Sequence, residues 1–183
     1  MNRILLLAFS GVALAAASYG QTPAPATTRT AVFAGGCFWC IQPAFDKAPG
    51  VVKTIVGYSG GTEPNPTYKP AKISYDQLLD IYWRQIDPTQ ADGQFTDIGP
   101  SYRAAIFYGN ADEEKIAEAS KEKLTRSGKF KRPIVTEILP AMKFWPAEDY
   151  HQKYYQQNPE RFEAFEEGSG RTSFKKDKWG GEQ

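Results

Sequence analysis

TAVFAGGCFWCIQPAFDK, residues 30–47, decides how the rest of the chain is read. Thr30 to Ala34 is a short apolar strand, broken by Gly35 and Gly36. From Cys37 to Lys47, Phe38, Ile41 and Phe45 fall on roughly one helical face, and Pro43 is tolerable in the first turn of such a helix. Cys37 therefore lies at a strand-to-helix junction, at the N-terminus of the helix. The stretch also holds both cysteines of the chain, three residues apart, with Phe38 and Trp39 between them.

That position has chemical meaning. A thiolate, not a thiol, is the nucleophile. A helix N-terminus favours negative charge through its free amides and its dipole. Cys40 lies one turn further on, close enough to Cys37 for disulfide geometry. Cys37 can attack a substrate and Cys40 can then resolve the intermediate. Phe38 and Trp39 flank the thiol beside two glycines, where an apolar group such as a methyl can fit between the rings and sulfur–aromatic contact is favourable. The plainer alternative is that both rings are core.

Outward from this stretch, strands alternate with helices. Val51 to Tyr58 is a β-branched strand, and Ser59 to Pro70 a Gly/Pro-rich loop. Ser74 and Gln77 form a capping box for a helix running to about Ile86, with Leu79, Tyr82, Trp83 and Ile86 as its apolar face. Asp87 to Pro100 is irregular, and Tyr102 to Tyr108 is a strand. Asn110 and Glu113 cap a helix that ends near Gly128, and Ile134 to Leu139 is a further strand. Short helices follow at Ala147 to Gln157 and Pro159 to Glu167. The alternation predicts an α/β sandwich of βαβ units.

The 183 residues fit one domain, with 41% apolar residues to form a core. There are 22 Lys and Arg against 21 Asp and Glu, with no block of like charge, which argues against nucleic acid or an anionic membrane as partner. Met1 to Arg3 is a short basic start, and Ile4 to Ala17 an apolar run too short for a comfortable membrane span. Residues 1–20 read as a secretory signal peptide, with an uncleaved anchor as the alternative, and residues 21–29 as a disordered linker. A single domain over 30–170 and a loose tail over 171–183 complete the division. The expected location is periplasmic or secreted, with no stable membrane association after cleavage. The expected state is a monomer.

In an oxidising compartment two cysteines usually make a structural disulfide. Here the loop closed would be tiny and would add little stability, which favours a reactive pair. A zinc site needs about four ligands, and beyond the two cysteines the chain offers a single histidine, His151. A C-x-x-C at a helix start also fits a thioredoxin-type oxidoreductase, although a Phe-Trp pair is bulky for one.

The motifs together resemble the A type of peptide methionine sulfoxide reductase. The resemblance rests on Gly36-Cys37-Phe38-Trp39-Cys40, on Gly57-Tyr58-Ser59-Gly60-Gly61 with Pro64-Asn65-Pro66-Thr67-Tyr68, on Asp97 with Ser101-Tyr102-Arg103, and on Ala147-Glu148-Asp149-Tyr150-His151-Gln152. It implies a two-layer, ferredoxin-like sandwich around a mixed central sheet. It implies that Cys37 takes the oxygen of methionine S-sulfoxide and becomes a sulfenic acid, that Cys40 condenses with it, and that an external dithiol such as thioredoxin reduces the disulfide, with no bound cofactor. By the family pattern Phe38 and Trp39 hold the substrate methyl group, and Tyr68, Asp97 and Tyr102 supply hydrogen bonds. Partners would be oxidised methionine-containing proteins or peptides and a thioredoxin-like reductant. Read without the family, Tyr68 is a surface packing residue, Asp97 an Asx-turn former and Tyr102 ordinary core.

One departure stands out. In the family the tyrosine matching Tyr68 precedes a Gly-His-x-Glu-Ala-Val segment that leads into a strand and a Tyr-Asp-Pro. Here Tyr68-Lys69 runs straight into Pro70-Ala71-Lys72-Ile73-Ser74. The resemblance then implies that a catalytic glutamate and one strand of the central sheet are missing. General-acid help is worth about 10²- to 10⁴-fold in rate, so weak or absent turnover is the expectation. Glu63, nearby in sequence, and Glu137, on a strand, are the acids to consider, each more in keeping with solvation or structure. An inactive methionine sulfoxide-binding domain is the matching alternative.

Overall fold

The computed structural model describes residues 28–63, 67–68 and 72–180, with residues 60–63 and 67–68 described by their backbone alone. The leader at 1–20 and most of the linker lie outside the described residues, as does the side chain of Tyr68.

Strands β1 (Arg29–Thr30) and β2 (Val32–Gly35) open the described chain, β2 running through Gly35 rather than stopping before it. Helix α1 (Phe38–Asp46) follows with Cys37 at its N-cap, as the sequence predicts. Pro43 lies in the second turn rather than the first, so the Trp39 carbonyl loses its amide partner one turn ahead.

The strand expected over Val51 to Tyr58 is two, β3 (Val51–Lys53) and β4 (Gly57–Glu63). Side chains interrupt it. Thr54 Oγ1 donates to Asp46 Oδ1 at 2.7 Å and accepts from Gln42 Nε2 at 2.9 Å. The backbone of Val56 bonds to the Gln152 side chain through both its N–H, at 3.0 Å, and its carbonyl, at 2.9 Å. The Gly-rich run expected as loop instead extends β4. The short β5 (Thr67–Tyr68) pairs antiparallel with β1 and with β3.

Helix α2 (Tyr75–Gln85) starts at the predicted capping box: Gln77 N–H donates to Ser74 Oγ at 3.2 Å, and Ser74 N–H to Gln77 Oε1 at 2.8 Å. Its apolar face is buried at Leu79, Tyr82 and Trp83. The expected irregular stretch contains a tight hairpin, β6 (Gly93–Gln94) and β7 (Asp97–Ile98). Tyr102 does not open a strand. It closes a 3-10 turn at Pro100–Tyr102, where Arg103 Nη1 donates to the Pro100 carbonyl at 3.1 Å, and β8 (Ala104–Tyr108) begins after it.

Helix α3 (Ala111–Arg126) is capped by Asn110 Oδ1, which accepts from the amides of Asp112 and Glu113. β9 (Glu137–Pro140) starts later than expected, because Val135 N–H is bonded to the Pro88 carbonyl at 2.8 Å. β10 (Phe144–Pro146) pairs with β4, bringing Trp145 opposite Tyr58. The predicted helix over 147–157 is broken by Lys153 at φ 52 into a 3-10 turn at Asp149–His151 and the short α4 (Tyr154–Gln157), followed by α5 (Pro159–Gly168).

The central sheet runs β2–β8–β9, with β2 antiparallel and β9 parallel to β8. It is the mixed sheet expected, and α3 makes the crossover of a βαβ unit between β8 and β9. Among the described residues β2 is an edge strand of this sheet. The core lies between the sheet and the helices, at Ile41, Phe45, Leu79, Tyr82, Ile86, Ile106 and Ala117.

The tail is a correction. Residues 171–179 form helix α6 (Arg171–Trp179), with Arg171 fully buried. Four aromatics dock it, Phe174 and Trp179 on the helix against Phe95 and Phe130. Phe174 lies 5.3 Å from Phe95 and 6.2 Å from Phe130, and Trp179 lies 6.3 Å from Phe130 (ring centroids), with Lys129 Nζ 4.1 Å above the Trp179 ring. Trp179→Ala is expected to lower unfolding stability by about 1–3 kcal/mol, measured by urea denaturation. A loose tail would give no change.

Candidate active site

The site begins with a turn that only glycine allows. Gly36 has φ +80, and a Cβ there would lie 2.5 Å from Gln94 Cβ and 3.1 Å from Arg171 Nη2. A Cβ on Gly35 would collide with Ile41 and with Ile86. The chain thus turns directly from β2 into α1 with the hairpin and α6 packed against the bend. Cys37 emerges half-buried at the mouth, and Cys40 is buried beneath it, both as free thiols.

The two thiols interact. The Cys40 S–H donates to Cys37, and this is the largest influence holding the Cys37 thiol below its ordinary value. Burial pushes it the other way, the Trp39 amide lowers it, the Asp97 charge raises it and the Arg171 charge lowers it. Cys37 Sγ makes no hydrogen bond of standard capping geometry, so Cys40 rather than the helix end is the main support. Cys40 is pushed far upward, first by that same hydrogen bond and then by burial. The pair divides the labour expected of it: Cys37 is the nucleophile, Cys40 stays protonated until needed.

Aromatic side chains wall the opening. Trp39 stacks on Tyr154 at 3.8 Å and 9°, meets Phe165 edge-on at 6.4 Å, and donates from Nε1 to His151 Nδ1 at 3.1 Å. Phe38 lies 5.6 Å from Tyr58 and 5.2 Å from His151. The segment carrying His151 and Tyr154 is itself anchored. Gln152 grips Val56, and Lys153 N–H donates to the buried Gln42 Oε1 at 2.7 Å. The Tyr58 phenol, half exposed, is pushed up by partial desolvation and then by Glu148, Tyr150 and Tyr102 nearby.

Cys37, Phe38, Trp39, Asp97 and Tyr102 line one cavity of about 660 Å³, together with Tyr58 and His151. Five of the seven residues singled out in the sequence therefore meet in one place, Cys40 lies directly below, and the Tyr68 side chain lies outside the described residues. Asp97 is held by Arg171, Nη2 to Oδ2 at 2.8 Å. Glu137 is elsewhere, accepting from Arg103 Nε at 2.7 Å across an exposed edge of the sheet. The sequence reading missed Tyr154, Phe165, Gln42 and Arg171. The Tyr and Phe spacing in the tail was a visible signal of an aromatic wall, but nothing in the chain order points Gln42 or Arg171 at the thiols.

Cys40→Ala removes the S–H donor, whereas Cys40→Ser replaces it with a hydroxyl. The pH profile of Cys37 alkylation by iodoacetamide is expected to move upward in Cys40→Ala and less so in Cys40→Ser. Coincident profiles for the two variants would show that the hydrogen bond does not tune Cys37.

The chain was compared with known proteins. The family model described as "Peptide methionine sulfoxide reductase" matches it in two pieces, residues 29–71 and 67–183, which overlap over 67–71, Tyr68 included. The peptide methionine sulfoxide reductase MsrA of Bacillus licheniformis is 49% identical over 168 residues, spanning 82% of this chain and 93% of that protein. The MsrA of Bacillus subtilis is 48% identical, spanning 82% and 95%. Among solved structures, methionine sulfoxide reductase A of Corynebacterium diphtheriae is similar with a TM-score of 0.60 at 32% identity, covering 75% of this chain and 77% of that one. Reduced Mxr1 from Saccharomyces cerevisiae gives 0.66 at 28%, covering 74% and 88%. With a family model spanning most of its length and relatives near half identical, this chain belongs to the peptide methionine sulfoxide reductase family.

Proposed function

We propose that this chain reduces methionine S-sulfoxide, free or within proteins, to methionine, and so repairs oxidised polypeptides. The observation that carries this reading is the paired thiols. A thiol held below its ordinary range opens into an aromatic-walled cavity, and a second, protonated thiol donates to it from beneath.

The Cys37 thiolate attacks the sulfoxide sulfur. The oxygen ends on Cys37 as a sulfenic acid with one proton taken up, and methionine leaves. Cys40 then loses its proton and attacks the Cys37 sulfur, hydroxide departs and is released as water, and the disulfide forms. An external dithiol of thioredoxin type returns both thiols and is itself oxidised. Phe38 and Trp39 take the methyl group between their rings. Trp39 suits this task because Tyr154 and His151 fix its plane. Asp97 and Tyr102 face the same cavity and supply polar contacts to the sulfoxide, and the family pattern assigns the same role to Tyr68. Export belongs to the same proposal. Residues 1–20 act as a leader, and a periplasmic or secreted enzyme then draws on a dithiol supply maintained in an oxidising compartment.

A second reading keeps binding and loses turnover. Two observations favour it. The family model matches in two pieces that meet beside Tyr68, where a glutamate-bearing segment is absent from the sequence. The cavity also runs past the thiols along Val32, Phe33 and Ala34 of β2, an edge strand among the described residues, into space a further strand could fill.

Single turnover separates the readings. The reduced protein, its intact mass checked, is mixed with a blocked S-methionine sulfoxide peptide without reductant, alongside Cys37→Ser. About one methionine per protein with loss of both thiols is expected for the thiol cycle, and none from Cys37→Ser. Peptide binding by the folded protein with no methionine formed would establish the second reading instead.

A further inference from the structure

Arg171 is placed where packing alone would not put it. Its side chain is fully buried. It is the first residue of α6, where a cation opposes the helix dipole. Nη2 donates to Asp97 Oδ2 at 2.8 Å and to the Gln94 carbonyl at 3.3 Å. Nε and Nη1 are buried with no hydrogen-bond partner among the described residues. A buried guanidinium that leaves donors unused costs stability, and an apolar residue of similar volume would serve the fold as well or better. Phe95 at 4.7 Å and Phe165 at 5.7 Å offset part of that cost through their ring faces.

Its surroundings explain the expense. Nη2 lies 3.1 Å from where a Cβ on Gly36 would be, so the guanidinium rests on the turn that delivers Cys37. Asp97 lines the cavity and Arg171 stands behind it. Cys37 is faced by Cys40 on α1, Asp97 on β7 and Arg171 on α6. Cys40 is faced by Cys37, by Arg171 and by Glu166 on α5, whose carboxylate is shared with Lys175 at 3.1 Å. His151 and Tyr102 line the same space. Asp97 opposes negative charge on Cys37 and Glu166 opposes it on Cys40, whereas the Arg171 charge favours both thiolates.

We propose that Arg171 is a positioning residue of the cysteine site, a buried clamp that fixes the Asp97 carboxylate on the cavity wall and sets a positive charge behind Cys37 and Cys40. The closing helix of the chain is then part of the active site. The charge matters most at the second step of the cycle described above, on which this inference rests. Once Cys37 is a neutral sulfenic acid, Cys40 must release its proton in a buried setting, and the guanidinium is the counter-charge for the thiolate that attacks.

The test uses Arg171→Met, which keeps bulk and removes charge, and Arg171→Lys, which keeps charge and removes the planar fork. Folding is checked by circular dichroism. The first readout needs no sulfoxide: the pH profile of Cys37 alkylation in a Cys40→Ser background. Arg171→Met is expected to move its midpoint upward, lowering alkylation at neutral pH about tenfold for each unit moved, while Arg171→Lys stays near the parent. The second readout is turnover of a blocked methionine sulfoxide peptide. Arg171→Lys is expected to raise KM with a smaller effect on kcat. Arg171→Met is expected to lower kcat/KM by about 10²-fold, with an effect that does not add to that of Asp97→Asn. Folded Arg171→Met with unchanged alkylation and unchanged KM overturns the proposal. If Arg171→Met does not fold, Arg171→Lys decides, and an unchanged KM overturns it. Failure of both to fold marks Arg171 as structural and also overturns it. A parent protein that alkylates with a low midpoint but forms no methionine defeats the reductase reading and leaves the alkylation arm standing on its own.

Discussion

The structure depends on a close approach at Gly35 and Gly36. Without side chains there, β2 can turn into α1 within two residues while Ile41, Ile86, Gln94 and Arg171 close around the bend. Glycine is needed twice over, for space at Gly35 and for both space and a positive φ at Gly36. Four separate parts of the chain meet at this point: the first helix, the end of the second, the β6–β7 hairpin and the start of the last helix. The nucleophile is the next residue. The same packing that builds the core therefore places Cys37, with its amide-bearing helix end and its buried neighbour Cys40, at one defined spot on the surface.

From this point the site assembles through polar side chains turned inward, Gln42 and Gln94 buried and Gln152 half-buried. Gln42, inside α1, holds Thr54 and the backbone of Lys153. Gln152 holds Val56. Gln94 holds both the amide and the carbonyl of Asp87, at 2.8 and 2.9 Å. Each is an amide that offers a donor and an acceptor, so each can join two strands of irregular backbone with no buried group left over. These links carry the catalytic loops. Regular elements supply Phe38, Trp39 and Cys40 on α1, Asp97 on β7, Tyr154 on α4 and Phe165 on α5. The segment carrying His151 and Tyr154 is tied down by Gln42 and Gln152, and Asp97 is held by Arg171.

The charge arrangement follows the same economy. Cys37 is favoured as a thiolate by a neighbour's S–H, a nearby amide and a guanidinium, and opposed by burial and by Asp97. The acid on the cavity wall and the base-like thiol would repel each other if left alone. Arg171 sits against Asp97 and offsets that repulsion, which lets a carboxylate and a thiolate share one small opening.

Much of this was legible in the residues themselves. The strand–Gly-Gly–helix pattern, the capping box at Ser74, the Asn110 cap and the alternation of strands and helices follow from local chemistry, because caps and turns are made by neighbours in sequence. The C-x-x-C spacing with aromatics between the cysteines marks the thiols by itself, since one helical turn sets their separation. Other features needed the folded chain. The break of the expected strand at Thr54–Val56 is made by side chains 8 to 96 residues away. The ordering of the tail depends on Phe174 and Trp179 meeting Phe95 and Phe130, and sequence periodicity carries no trace of that contact. Asp97 and Arg171 stand 74 residues apart and meet only because α6 packs back over the hairpin. Local residues determine which groups can react. Only long-range packing decides which charges and rings surround them, because burial and Coulomb interaction depend on distance in space and not along the chain.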